Sequence, residues 1–485
     1  MSSDLTRIVK TYDIRGLVGS ELTDEIVEAL GAAFVDELGG AGSSIVVGHD
    51  MRDSSPRFAD TFARGATTRG ASVISIGLCS TDMTYYASGA WSMPSAMFTA
   101  SHNPASYNGI KLSRAGAESL SLDTGLASIR DRATRYLGSP IPAVATVGVT
   151  ESRDVTAEYA AYLRRLVNLE SIRPLKVVVD AGNGMGGMTV PAVLGTAAGL
   201  PALPLEIIPM YFELDGSFPN HEANPLNPDN IVDLQRAVIE HGADVGLAFD
   251  GDADRCFVVD ERGEPVTPSA VTAIVGLREI ARVKAAGETT VTVLHNLITS
   301  LIVPETIRAA GARPVRTTVG HSLIKKVMRE TGAVFGGEHS AHYYFRDYWS
   351  ADNGMLAAMH VLAEFGSQTK PLSEFAAAYS PYSQSGEINT RVDDVDAAVE
   401  RIRDAFTGRG AFDTLDGLTV SGGSLDDEAL PPTRGERRNF WWLNVRPSNT
   451  EPLLRLNVEG GTPELMAAIR DEALAIIRQN VTVEP

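Results

Sequence analysis

Short runs of apolar, β-branched residues alternate with stretches of helical spacing along most of this chain, and that alternation admits few folds. Strands are expected at 44–47, 72–78 and 95–99, with a helix at 56–69 between the first two. The pattern returns with strands at 175–180, 205–209 and 245–249 and a helix from 230 to 241. The turn Asp180-Ala-Gly-Asn-Gly184 after the first of these strands fits a strand-to-helix crossover. Past a strand at 256–259 it starts again, with helices at 269–283 and 322–331 and strands at 289–294, 314–317 and 333–335. Strand, helix and strand in succession build a layered α/β domain, so three such units are expected.

From residue 374 the texture changes. A helix at 395–406, a Gly/Asp-rich stretch to 436, strands at 440–445 and 453–458 and a final helix at 463–479 describe a smaller α+β domain. An uncharged, proline-containing stretch at 138–146 reads as a linker, followed by a helix at 156–166. The expected domains are 1–150, 151–258, 259–372 and 373–485. A length of 485 residues agrees with several domains.

Composition narrows the function. Hydrophobic residues at 44% and charged residues at 21% allow a large core and exclude disorder as the main theme. Lys+Arg 42 against Asp+Glu 61 leaves a net charge of −19, which repels nucleic acid and anionic membrane. No apolar run reaches the roughly 18 residues of a membrane span, and the first ten residues lack the order of a signal peptide. A cytoplasmic protein with no nucleic-acid or membrane partner is expected, with Cys79 and Cys256 as reduced core thiols.

Four segments could carry chemistry. Thr99-Ala-Ser101-His102-Asn103-Pro104 directly follows a strand, where α/β folds place their ligands. A turn closed by Pro104 is the plainer alternative; a serine hydrolase fits poorly, because no G-x-S-x-G elbow is present. Asp250-Gly-Asp252-Ala-Asp254-Arg255 ends another strand, and three carboxylates at alternate positions converge only at high Coulombic cost unless a cation sits between them. Hard oxygen ligands suit Mg²⁺, Mn²⁺ or Ca²⁺. An EF-hand is excluded, since Arg255 stands where that loop requires Gly and the flanks read as strands; a solvated acidic turn is the remaining alternative. Gly336-Gly-Glu338-His339-Ser340-Ala341-His342 lacks zinc-site spacing, and Glu338 and Ser340 suit hydrogen bonds to a polyol. Arg446-Pro-Ser448-Asn449-Thr450-Glu-Pro452 joins an arginine fork to hydroxyl, amide and backbone donors, as an anion nest does and as a plain hairpin loop also could. Tyr12-Asp-Ile-Arg15-Gly16, Lys111 and the helix-opening Gly320-His321 are weaker signals.

Taken in this order, T-A-S-H-N-P, D-G-D-A-D-R, G-E-H-S-A-H and R-P-S-N-T-E-P resemble the α-D-phosphohexomutase superfamily, most closely its bacterial phosphomannomutase/phosphoglucomutase branch, from Tyr12 to Arg455. The resemblance implies three related α/β domains with mixed sheets and a smaller C-terminal α+β domain, in a heart-shaped arrangement around a central cleft. It implies that Ser101 carries a phosphoryl group, and that Asp250, Asp252 and Asp254 hold Mg²⁺ together with an oxygen on Ser101. Glu338 and Ser340 would grip sugar hydroxyls, while Arg446, Ser448, Asn449 and Thr450 clamp the phosphate that is not transferred. Tyr12, Arg15, His102, Lys111, Arg255, Gly320, His321 and His342 match positions lining the same cleft, with Lys111 and His342 as proton-transfer candidates.

The implied activity is a phosphomannomutase, a monomer or small homo-oligomer taking a hexose phosphate and activated by a hexose 1,6-bisphosphate. Phosphoglucomutase or dual activity comes next, then phosphoglucosamine mutase. A silent sugar-phosphate-binding protein and a metal-dependent phosphatase are the rivals of other classes. Ala341 departs from the Gly that many relatives carry there.

Overall fold

The computed structural model describes residues 5–422, 438–447 and 453–479. They form two compact units: one takes in the chain up to Val266 with Gly320–Phe335 and Ser340–Ser373, the other Thr267–Val319, Gly336–His339 and the chain from Glu374 onward.

In the first unit, a mixed sheet runs in the spatial order Ile14–Leu17, Tyr107–Arg114, Ser95–Phe98, Ser44–His49, Ser72–Leu78 and Thr150–Ser152. Ser44–His49 is parallel to both of its neighbours, whereas Tyr107–Arg114 returns antiparallel to Ser95–Phe98. The apolar faces of helices Asp24–Leu38 and Ser55–Thr68 cover it, and Phe34, Phe58, Phe62 and Phe98 fill the space between. Burial of these rings, at roughly 2–3 kcal/mol each, is what holds the layers together.

A second mixed sheet follows: Pro265–Val266, Cys256–Asp260, Val245–Phe249, Leu175–Asp180 and Leu205–Met210. Val245–Phe249 is wholly buried and parallel to Leu175–Asp180, while the turn after it leads into the antiparallel Cys256–Asp260. Sheet strands covered on both faces must be continuously apolar, which is why these runs stand out in the sequence.

In the second unit Thr292–Asn296 pairs in parallel with Arg313–Thr317, and an antiparallel sheet is built on Trp441–Pro447 and Leu453–Gly460. Helices Val395–Phe406 and Pro463–Ile477 pack their apolar faces on that sheet. The Gly/Asp-rich stretch is not irregular throughout: Ala411–Asp413 and Leu418–Ser421 are strands within it. They are too short, and Ala411–Asp413 too exposed, to leave a periodic signal. The α/β class with a smaller α+β part is the architecture observed. Among the described residues, no helix is long and apolar enough to cross a membrane.

Candidate active site

The strand Ser95–Phe98 delivers Ser101 to the sheet's C-terminal edge in a left-handed backbone conformation, φ 50°, with only 5% of the residue exposed. The Ser101 backbone N–H donates to Thr99 Oγ1 at 2.9 Å. The antiparallel return strand sets Lys111 opposite Met97, so its side chain reaches back to the same edge.

The Asp250–Arg255 turn comes from the second sheet and meets Ser101 at van der Waals distance. A Cβ on Gly251 would fall 2.4 Å from the Ser101 carbonyl oxygen, so only glycine allows the two loops to touch. Ser101 Oγ donates to Asp250 Oδ2 at 2.9 Å and lies 3.2 Å from His102 Nδ1. Arg255 Nε donates to the same Asp250 oxygen at 2.9 Å, and Arg255 Nη2 to His102 Nδ1 at 2.5 Å. A guanidinium can only donate, so His102 Nδ1 accepts and the imidazole proton sits on Nε2. Burial, with Arg255 and Arg15 nearby, holds the His102 pKa well below its ordinary range, which agrees with a neutral ring.

Lys111 Nζ donates to Asp252 Oδ2 and Asp254 Oδ2, both at 2.6 Å, and Thr81 Oγ1 adds a third donor to Asp252. Burial pulls the Lys111 pKa down, but Asp252 and Asp254 outweigh it and hold the ammonium well above its usual value. Asp252 shows the mirror image: burial pushes it up, while the charge and hydrogen bond of Lys111 and the Thr81 hydroxyl hold it below the carboxylate range. For Asp250 burial wins over Arg255, and its pKa is raised.

The three carboxylates each place an oxygen within 4.8 Å of the others. Repulsion among them is met in part by the side-chain cations Lys111 and Arg255, so convergence alone does not require a metal. The remaining acceptors do point to one. Asp252 Oδ1 and Asp254 Oδ1 are buried and, among the described residues, have no hydrogen-bond partner. Orphaned carboxylate oxygens in a dry site are costly and suit a hard cation, so the cluster can hold a metal ion.

His342 stands on the rim, its Nε2 3.8 Å from Asp254 Oδ1, and Ser340 Oγ lies 2.9 Å from its Nδ1. Ala341 between them has φ 63°, a conformation that disfavours any Cβ. Arg15 donates to Asn103 Oδ1 at 2.5 Å and to Asp13, which ties it to the Ser101 loop; the Tyr12 hydroxyl lies against Gly320, and His321 opens the helix His321–Thr331. The first unit therefore gathers Ser101, His102, Lys111, the three aspartates, Arg255, Ser340 and His342.

Glu338 and Arg446 belong to the second unit. Glu338 is buried and accepts from Asn296 Nδ2 at 3.3 Å. Arg446 Nη2 pairs with Glu387 Oε2 at 2.9 Å, and Arg455 lies 3.5 Å from the other oxygen of that carboxylate. Ser448, Asn449 and Thr450 lie outside the described residues. Sequence reasoning missed Thr81, and it missed Asp50 and Arg52, which stand behind the Ser101 loop. None of these three sits in a motif with a chemical signature of its own.

Comparison with known proteins places the chain in a family. Four family models match in chain order: the phosphoglucomutase/phosphomannomutase alpha/beta/alpha domains I, II and III over residues 6–136, 157–263 and 268–382, and the C-terminal domain over 387–476. A Salmonella typhimurium phosphomannomutase is 35% identical over 474 residues, which cover 97% of this chain and 98% of that protein. The chain belongs to the phosphoglucomutase/phosphomannomutase family. Another family relative, from Xanthomonas campestris and named for phosphohexose mutases, is 38% identical over 457 residues, 93% of this chain and 94% of its own. Among solved structures, a phosphoglucomutase/phosphomannomutase family protein of Burkholderia thailandensis superposes with a TM-score of 0.82 at 26% identity, covering 99% of each chain. A Paramecium phosphoglucomutase shares the fold, with a TM-score of 0.74 at 16% identity over 97% of this chain and 94% of that one. The family makes this chain a mutase, an isomerase working by phosphotransfer.

Proposed function

We propose that this enzyme interconverts mannose 1-phosphate and mannose 6-phosphate through a phosphorylated Ser101 and a hexose 1,6-bisphosphate. The observation that carries the reading is the Ser101 hydroxyl, buried 2.9 Å from Asp250 in a cluster that also holds Lys111 and Arg255. The hexose-phosphate substrate class and the mannose assignment rest on the likeness to the Salmonella typhimurium phosphomannomutase.

In the forward direction the free sugar hydroxyl attacks phosphoserine; its bond to phosphorus forms as the phosphorus–Oγ bond breaks, and the hydroxyl proton passes to a neighbouring base. The bisphosphate then turns over. Ser101 Oγ attacks the other phosphorus, its proton passing to a neighbouring base; the bond from that phosphorus to the sugar oxygen breaks, the oxygen takes up a proton, and the sugar 6-phosphate departs. Phosphoryl transfer needs positioning and charge neutralisation above all. Lys111 and Arg255 supply fixed positive charge to the transferred oxygens, and the double pairing of the Lys111 ammonium favours that charge role over proton release. Asp250, Asp252 and Asp254 would hold Mg²⁺, which when bound adds divalent charge at the phosphoryl oxygens. His342 is the remaining proton-transfer candidate, Glu338 and Ser340 are the sugar-hydroxyl ligands, and Arg446 with Ser448, Asn449 and Thr450 holds the distal phosphate. Tyr12, Arg15, Gly320 and His321 line the substrate site, and a hexose 1,6-bisphosphate primes Ser101.

A dual-specificity reading has one specific support: the Xanthomonas campestris relative carries the plural name phosphohexose mutases. No residue assigned here reads the C2 hydroxyl, where glucose and mannose differ, and a weakly read group is worth only about 1–3 kcal/mol. The test is a coupled assay on mannose, glucose and glucosamine 1-phosphates with catalytic bisphosphate. Isomer should accumulate, with mannose and glucose within about a hundredfold and glucosamine poorer. In Ser101→Ala the rate should fall by about four orders of magnitude or more. Release of inorganic phosphate in place of isomer, or a fully active Ser101→Ala, overturns the reading.

A further inference from the structure

Arg52 belongs to no motif, touches none of the three aspartates by hydrogen bond, and is 2% exposed. It sits just past the strand Ser44–His49, and both of its terminal nitrogens are directed to one target. Nη2 donates to the carbonyl oxygens of Ser101 at 2.8 Å and Asn103 at 2.6 Å; Nη1 donates to those of Pro104 and Tyr107, both at 3.0 Å. Nε faces Asp50 Oδ2 at 3.2 Å. One guanidinium thus gathers four carbonyls from the seven-residue turn 101–107.

We infer that Arg52 is the positioning residue of the phosphoryl-carrying loop, setting the direction of Ser101 Oγ through the backbone. The inference deepens the proposed phosphoserine function and rests on it. A serine in the left-handed region is held there only if the peptide planes on both sides are fixed. Thr99 fixes the Ser101 N–H and Arg52 its carbonyl, so the Cα–Cβ vector toward Asp250 has no freedom left.

The support for Arg52 is itself over-determined. Asp50 Oδ1 accepts from the Arg52 backbone N–H at 3.0 Å and from Ser55 Oγ at 2.6 Å. Asn108, next to the loop's last carbonyl, donates to Ser54 and Ser55. On the far side the Phe218 ring lies 5.1 Å from the guanidinium carbon, and a Cβ on Gly216 would fall 2.7 Å from Arg52 Cα, so that loop presses directly on it. Lysine could not replace this arrangement, because a single ammonium has three donors radiating from one point, whereas the planar fork reaches four acceptors and an anion at once.

The test compares wild type, Arg52→Lys and Asp50→Asn as Mg²⁺-loaded full-length enzymes. Arg52→Lys should lower turnover by about a hundredfold, the cost of roughly 1 Å of misplacement. Its Michaelis constant should stay within about threefold, since Arg52 touches no substrate. Phosphorylation of Ser101 by hexose 1,6-bisphosphate, read by intact mass, should slow in proportion. Hydrogen exchange in the peptide covering 99–107 should rise while the unfolding midpoint stays within a few degrees. Asp50→Asn can keep both hydrogen bonds accepted by Oδ1, puts an amide NH2 in place of the carboxylate oxygen facing Nε, and should show a smaller fall in turnover of about tenfold, again at unchanged Michaelis constant. It carries the test if Arg52→Lys does not fold. Full turnover in these variants, or loop exchange equal to wild type, overturns the positioning role. Exchange is readable without catalysis, so the two failures are distinct: wild type that takes no phosphate on Ser101 overturns the phosphoserine reading, and unchanged loop exchange overturns the role of Arg52.

Discussion

Around Ser101 the charged side chains are dry and already paired with one another: Lys111 bridges Asp252 and Asp254, Arg255 holds Asp250, and none of the five is more than 9% exposed. The arginines of the C-terminal sheet are built differently. Arg446 and Arg455 share the single carboxylate of Glu387, which is about a quarter exposed, and Nε of each arginine has no hydrogen-bond partner among the described residues. The first cluster has its charges mutually paired and fixed, two cations against three carboxylates; the second has two cations against one carboxylate. A group that must present a reacting atom reproducibly gains from burial and mutual pairing, whereas one that must capture and release an anion gains from incomplete pairing.

Breaking the buried pairing should have the largest effect. Lys111→Met leaves Asp252 and Asp254 without their shared cation, at a cost of about 3–5 kcal/mol in unfolding free energy by urea titration. Added Mg²⁺ should return part of that loss, because the ion would replace the missing charge; no recovery would count against the carboxylates as a metal site.

Asp82 sharpens the comparison, as it has the same burial without a cation. It accepts from Tyr159, Ser80 and the Met83 backbone, and burial raises its pKa to about 7. Between about pH 4 and 7 the unfolded carboxylate has lost its proton while the folded one keeps it, so this group contributes stability at low pH that is lost as pH rises. Unfolding free energy should fall by about 2–4 kcal/mol across that window, and Asp82→Asn should remove that component of the slope.

Arg446→Ala tests the under-paired cluster. Arg446 is itself buried, but Glu387 is partly exposed and keeps Arg455 as a partner, so stability should fall by only about 1–2 kcal/mol. The Michaelis constant for hexose phosphate should rise by roughly 2 kcal/mol equivalent, a factor of about thirty, with turnover less affected. A variant that loses stability and leaves binding intact would reverse the contrast drawn between the two clusters. The smallest effect belongs to Ala341→Gly: relief of the left-handed alanine, less the added chain entropy of glycine, should raise stability by about 0.5–1 kcal/mol. Thermal unfolding can resolve that gain.

What the sequence disclosed follows the same physics. Val245–Phe249 was legible because a strand buried on both faces must be apolar throughout, and Ser72–Leu78 and Leu175–Asp180 were legible by the β-branched residues at their buried centres. Tyr107–Arg114 was not, since this buried strand carries Asn108 and Lys111, whose polarity is compensated only by residues far away in sequence. The helix Thr81–Trp91 hid for the same reason: Thr81, Asp82 and Thr84 are all buried and satisfied by tertiary partners. In the site, Ser101 and the aspartates lie in short motifs at strand ends, where reactive groups are exposed to inspection. Arg52 acts on carbonyl oxygens, which every residue has, so no pattern of side chains announces it.

The pairing of Lys111 and Arg255 with the aspartates also bears on how the enzyme matures. Metal-templated modules wait for their ion before they collapse, and chelation returns them to the unfolded state. Here counter-charges are encoded in the chain, so on the proposed metal site a newly made polypeptide would complete its fold before taking up its ion and would exchange that ion without passing through a denatured form.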